Sequence, residues 1–77
     1  MNKDTLLSEI EQGTTVEITS IDNEAFLLKL MEMGCVPGEK ITVQQKAPFK
    51  DPISIIVAGY LLSLRKEEAD QIKVKFI

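Results

Sequence analysis

The sequence predicts a mainly β fold: a small, partly open β-barrel of about five short strands, with one inserted α-helix and short helical turns. Three observations predict it. Apolar residues alternate with polar ones in several separate stretches, the period-two sign of half-buried strands. Glycine and proline recur at Gly13, Gly34, Pro37-Gly38, Pro48, Asp51-Pro52 and Gly59, so the segments between them are short. Only residues 23–33 carry a sustained helical period. In so small a β-rich chain, closing the sheet towards a barrel is the usual protection for strand edges.

Taken in order, residues 5–11 read as a short helical turn, with Leu6, Leu7 and Ile10 on one side and Gly13 after its end. Residues 14–21 alternate, with Val16, Ile18 and Ser20 on one face and Glu17 and Thr19 on the other. Asp22 or Asn23 suits a helix N-cap, and Glu24 in the first turn suits the helix dipole. The helix runs to about Met33, where Gly34 can take the left-handed conformation that closes it. Pro37-Gly38 fits the two central positions of a type II turn. Lys40–Lys46 is a strand with Ile41 and Val43 inward, and residues 47–52 form a loop. Ile53–Val57 and Tyr60–Leu64 make a hairpin around Ala58-Gly59. Ile53, Ile55, Val57, Tyr60, Leu62 and Leu64 are its expected interior residues. Residues 65–71 read as a short polar turn of helix, and residues 73–77 as a last strand with Val74 and Phe76 on the core face.

Residues 1–77 make a single domain with a thin core, because a chain this short buries only about 60–65% of its unfolded surface. The net charge of −3 argues against nucleic acid, which selects a basic face. No apolar run approaches the roughly 20 residues that span a bilayer, so direct membrane insertion is not expected. Met1-Asn2-Lys3-Asp4 has no charged-then-apolar signal region. A single cysteine forms no internal disulfide, which fits a reducing cytoplasm. Small barrels with apolar patches often self-associate, so a homo-oligomer stays open.

No catalytic constellation is present. With no histidine, there is no Cys–His pair and no Ser–His–Asp set. The glycines lack the Lys-Ser or Lys-Thr of a phosphate loop. Cys35 lies beside Glu32 and two methionines, soft enough to interest a metal. A structural zinc site needs about four ligands, and no second cysteine is available. Neither a metal nor a cofactor is therefore expected, Cys35 reads as a small, semi-buried apolar residue, and Cys35→Ser should be nearly silent. Glu67, Glu68 and Asp70 read as a solvated charged face, Asp51 as a turn former, and Arg65 as one half of an ion pair. A proline-rich-peptide groove built on Phe49 and Tyr60 alone would be thin, since Phe26 and Phe76 fall on core faces.

The helix carries the sharper clue. Phe26, Leu30 and Met33 share one line, Leu27 and Met31 lie beside it, and Leu28 lies further round. The apolar arc is roughly 220° wide, whereas a core-facing stripe needs about 100°. Either Leu28 and Met31 tuck under the N-terminal turn against Leu6 or Ile10, or part of the arc is a docking surface. Methionine adapts to a partner's shape, which favours Met31 in that role.

A set of short motifs, in order, completes the reading. It comprises Leu7-Ser8-Glu9-Ile10, Gly13, Leu30-Met31-Glu32-Met33-Gly34, Pro37-Gly38, Ala47-Pro48, Asp51-Pro52-Ile53, Gly59-Tyr60, Leu62-Ser63-Leu64-Arg65, Glu68-Ala69 and Ile72-Lys73-Val74. With these the chain resembles the FeoA family, ferrous iron transport protein A. The resemblance implies an SH3-like barrel with an inserted helix. It also implies a non-enzymatic role beside the FeoB transporter, a membrane protein with a cytoplasmic GTP-binding domain. The competing resemblance is to the C-terminal SH3-like module of metal-dependent repressors, which would make the chain an isolated regulatory module. On the first reading the partner-binding residues are Leu28, Met31, Met33, Cys35, Val36 and Pro37.

Overall fold

The alternating stretches pair into one antiparallel sheet in the computed structural model, which describes residues 5–77. Its strands are β1 (Thr5–Leu6), β2 (Thr15–Ile21), β3 (Lys40–Lys46), β4 (Ile53–Val57), β5 (Tyr60–Leu64) and β6 (Ile72–Phe76). They lie in the order β1-β6-β2-β3-β4-β5, so β1 and β5 are the two edges and the barrel is open between them. Two helices interrupt the strands: α1 (Glu24–Glu32) after β2, and the short α2 (Lys66–Ala69) before β6. Residues 1–4, read above for a signal segment, lie outside the described residues.

One face of the sheet is apolar and wraps a single core. Val16 and Ile18 of β2, Ile41 and Val43 of β3, Ile53, Ile55 and Val57 of β4, and Ile72 and Val74 of β6 are all buried in it. Leu7 and Ile10 close one side, Leu30 and Cys35 another. Among the described residues every buried side-chain nitrogen and oxygen has a hydrogen-bond partner. A thin core can tolerate few unpaired groups, since each costs about 1–3 kcal/mol.

Four expectations about the strands differ in the structure. The segment read as a helical turn is strand β1, antiparallel to Val74 and Lys73, followed by a 3₁₀ turn at Leu7–Glu9. The Leu6 amide donates to the Glu9 carboxylate at 3.0 Å, which turns the chain at once. The alternation in β2 is broken by a bulge between Ile18 and Ser20. An extra residue reverses the faces beyond it, so Ile21 is buried where Ser20 was expected. Thr19, the residue at the bulge, donates its hydroxyl to the Lys73 carbonyl at 3.0 Å. Tyr60 is not interior but 41% exposed, because it flanks the hairpin turn at the barrel's mouth. Phe76 is exposed too, lying at the end of β6 past the buried Val74.

Polar contacts tie the ends together. Ser8, in the 3₁₀ turn, donates its hydroxyl to Asp70 just after α2, and Lys66 pairs with the same carboxylate at 3.3 Å. The Asp51 carboxylate accepts from the Lys66 amide at 3.1 Å, confirming a structural part for that loop aspartate. Glu68 accepts from the Arg65 amide at 2.8 Å. Among the described residues the Arg65 guanidinium forms no ion pair; it lines an open polar cleft with Asp51, Pro52, Ser63 and Glu68. Arg65 was expected in an ion pair, but Glu68, one turn along α2, accepts from the Arg65 amide instead.

Candidate docking surface

Helix α1 begins where Asn23 offers its side-chain oxygen to the Phe26 amide at 3.0 Å. It ends in a Schellman arrangement. The Cys35 amide donates to the Leu30 carbonyl at 2.9 Å and the Gly34 amide to the Met31 carbonyl at 3.1 Å. Gly34 sits at φ 87°, a conformation that a side chain disfavours. The apolar contact that accompanies such an end is Leu30 with Cys35, both fully buried. The next turn follows directly. The Glu39 amide donates to the Val36 carbonyl at 3.0 Å, with Gly38 at φ 95°, as the Pro37-Gly38 pair requires for type II. The Gly38 amide reaches the Ile18 carbonyl and the Ile18 amide the Glu39 carbonyl, at 2.8 and 2.9 Å, so β2 holds the turn rigidly.

The arc around α1 divides cleanly. Leu30 is buried, and Phe26, Met33 and Leu27 are half-buried against the core. Those side chains span about 120° of the helix, close to an ordinary core-facing stripe. Beyond them Met31 is 47% exposed and Leu28 60% exposed. With this much of both side chains in water, the fully tucked alternative does not hold. Leu28 and Met31 are three residues apart and therefore neighbours on the helix surface. Exposed Lys29 and Glu32 border them.

The other candidate residues fall into place around this pair. Pro37 is exposed, and Met33 and Val36 are half-buried. Cys35 is fully buried and is removed from the surface set. Its burial, with Glu39 adding to it, pushes the thiol above its ordinary pKa, away from the thiolate that binds metals. A serine there would bury a hydroxyl, so a silent Cys35→Ser is also no longer expected. Among the described residues no group of three or more histidines, cysteines, aspartates or glutamates is placed to hold a metal ion. Nor is any described helix long and apolar enough to cross a membrane.

Phe49 and Tyr60 lie at opposite ends of β4, so they do not line one groove. Phe49 is 97% exposed at φ 67° in the β3–β4 loop. Tyr60 instead meets the end of α1, where a side chain on Gly34 would come within 3.8 Å of its hydroxyl and 3.4 Å of Ala58. Exposed Ile56 and Leu61, opposite one another on the outer face of the hairpin, were not singled out in the sequence. The two-residue turn was the signal, because it fixes which residues face out.

Residues 5–76, nearly all that the structure describes, match the FeoA domain model. The chain belongs to the FeoA family. A curated relative from Porphyromonas gingivalis, an Fe(2+) transport protein A/Fe(2+) transporter FeoB fusion protein, is 39% identical over 72 residues. That match takes in 92% of this chain and only 8% of the fusion protein. Among solved structures, a FeoA-like protein from Clostridium acetobutylicum is 41% identical, with a TM-score of 0.87 over 100% of this chain and 91% of that one. Stenotrophomonas maltophilia FeoA, solved in complex with zinc and described as a prokaryotic SH3 domain protein, is 29% identical. Its TM-score is 0.80, over 92% of this chain and 89% of that one. The FeoA fold is thus SH3-like, as the family resemblance implied. A manganese-dependent transcriptional repressor superposes as well, with a TM-score of 0.88 over 100% of this chain and 38% of the repressor. At 19% identity that likeness shows the fold alone.

Proposed function

We propose that this FeoA-family chain is a non-enzymatic, cytoplasmic accessory protein of ferrous iron uptake. It binds the cytoplasmic GTP-binding part of a FeoB-type transporter and modulates the transporter's assembly or activity. The observation that carries the reading is the exposed apolar pair Leu28 and Met31 on a helix whose other apolar residues are already used by the core. The fusion relative supports the choice of occupant, for there a FeoA segment and FeoB share one polypeptide. A tether raises the effective concentration of the two parts and helps most where the contact itself is modest. A modest contact is what two side chains give, at about 1.5–3 kcal/mol for each one fully buried.

The geometry suggests how binding would be read out. Leu28 and Met31 lie along α1, and the rigid turn at Val36 and Pro37 follows its end. A partner resting on both meets a surface whose parts are held by backbone hydrogen bonds, so little ordering is lost on binding. Met31 supplies the adaptable element. The test is titration of the soluble GTP-binding domain of the cognate transporter with wild-type protein, Leu28→Glu and Met31→Glu. Each substitution places a charge on an exposed site, so the circular dichroism should be unchanged while affinity falls at least about tenfold. Unchanged affinity in both variants would contradict the reading.

A further inference from the structure

Strand β5 has the make-up of an interior strand but occupies an edge. Tyr60-Leu61-Leu62-Ser63-Leu64 contains no charge and no proline. Its ladder with β4 runs without a bulge from Ile53↔Leu64 to Val57↔Tyr60. Edge strands are normally blunted by charge, proline, bulges or shortness. The opposite edge follows that rule, since β1 is two residues long. Strands β2, β3 and β6 carry Glu17, Lys40, Lys46, Lys73 and Lys75, although each is paired on both sides.

The register shows what the edge offers. After a two-residue turn, Val57 and Tyr60 exchange both backbone bonds, as do Ile55 with Leu62 and Ile53 with Leu64. Leu61 and Ser63 therefore aim their N–H and C=O groups away from β4. Among the described residues no hydrogen bond reaches these groups. Leu61 is 62% exposed and lies opposite the exposed Ile56 on the outer face.

We propose that the free edge of β5 pairs antiparallel with β5 of a second copy of this chain, about a two-fold axis at Leu62. Leu61 then exchanges both backbone bonds with Ser63 of the second copy, and the reverse, which satisfies all four outward groups on each strand. A two-fold interface brings residues near its axis close to their own counterparts, so a charge in the middle of β5 would face its own copy; a charge-free strand avoids that repulsion. On the outer face the two Leu61 side chains lie diagonally across the joint, each backed by Ile56. The apolar strip becomes continuous across the joint, with the flank of each Leu61 packed against the second copy. The surface is distinct from the exposed face of α1, so the proposal stands apart from transporter binding.

The test combines sedimentation equilibrium with amide hydrogen exchange on the whole chain. A short two-strand joint is a small interface, so we expect a monomer at about 10 µM and a dimer at about 1 mM. The Leu61 and Ser63 amides should be protected only in the dimer. Ser63→Pro removes an outward N–H and no ladder bond, and should leave a folded monomer at both concentrations. Leu61→Lys sets like charges diagonally across the joint and should lower the dimer population at least about tenfold. It carries the test should the proline variant fail to fold. A wild-type monomer at the higher concentration would overturn the proposal, as would a dimer that these variants leave intact. Protection of the same amides only on adding a FeoB GTP-binding domain would assign the edge to that partner instead.

Discussion

Leu28 and Leu30 sit two residues apart on one helix and have opposite fates. About 200° of helical rotation separates them, which puts Leu30 in the core and Leu28 in water. Leu30→Glu should unfold the chain, because it buries a charge without a partner. Leu28→Glu should change stability by no more than about 0.5 kcal/mol, as surface substitutions usually do. Urea denaturation of the two variants checks both. Cys35 shows what a residue's type and neighbours leave out. Its sequence position suggested a semi-buried loop residue, but the Schellman end of α1 draws it fully inside against Leu30. Cys35→Ser should therefore cost about 1–3 kcal/mol, the penalty of a buried hydroxyl without a partner. In a domain of this size that lowers the melting temperature by about 4–8 °C per kcal/mol. The native wild-type thiol should resist a thiol reagent until the chain unfolds.

At the scale of elements, local chemistry was legible and pairing was not. The cap at Asn23, the stop at Gly34 and the turn at Pro37-Gly38 depend on adjacent residues, and the structure has each where the sequence put it. The bulge in β2 and the strand β1 depend on β6, more than fifty residues away, and no local pattern announces them. Tyr60 and Phe76 alternated correctly with their neighbours but stand at strand ends, where the core has run out. The junction of the 3₁₀ turn with α2 carries a pH signature. The Ser8 hydroxyl first, and Lys66 after it, hold the Asp70 carboxyl below its usual pKa. A lowered folded pKa gives stability that is present above the ordinary carboxylate range and lost as pH falls through the folded value, below about pH 4. Asp70→Asn should thus cost up to about 1 kcal/mol at neutral pH, with the gap to wild type closing in acid. Urea midpoints at neutral and acid pH measure it.

For the molecule as a whole, an open SH3-like barrel leaves two kinds of surface exposed: one helix face and one strand edge. The barrel's small core explains both. It covers about half of the apolar arc of α1, and among the described residues no further strand lies on β5. The barrel and the excess apolar arc were legible from periodicity and punctuation, and the FeoA resemblance from short motifs spread along nearly the whole chain. Which part of that arc stays in water was not, because only the packed structure shows what the core covers. The exposed face of α1 is the proposed docking site of a FeoB-type GTP-binding domain. NMR shift mapping of the labelled protein against that domain, with and without nucleotide, tests it most directly. Perturbations should centre on Leu28, Met31, Met33 and Val36, while β2 and β6 stay still. Perturbations confined to the far side of the barrel, or none at saturating partner, would contradict it.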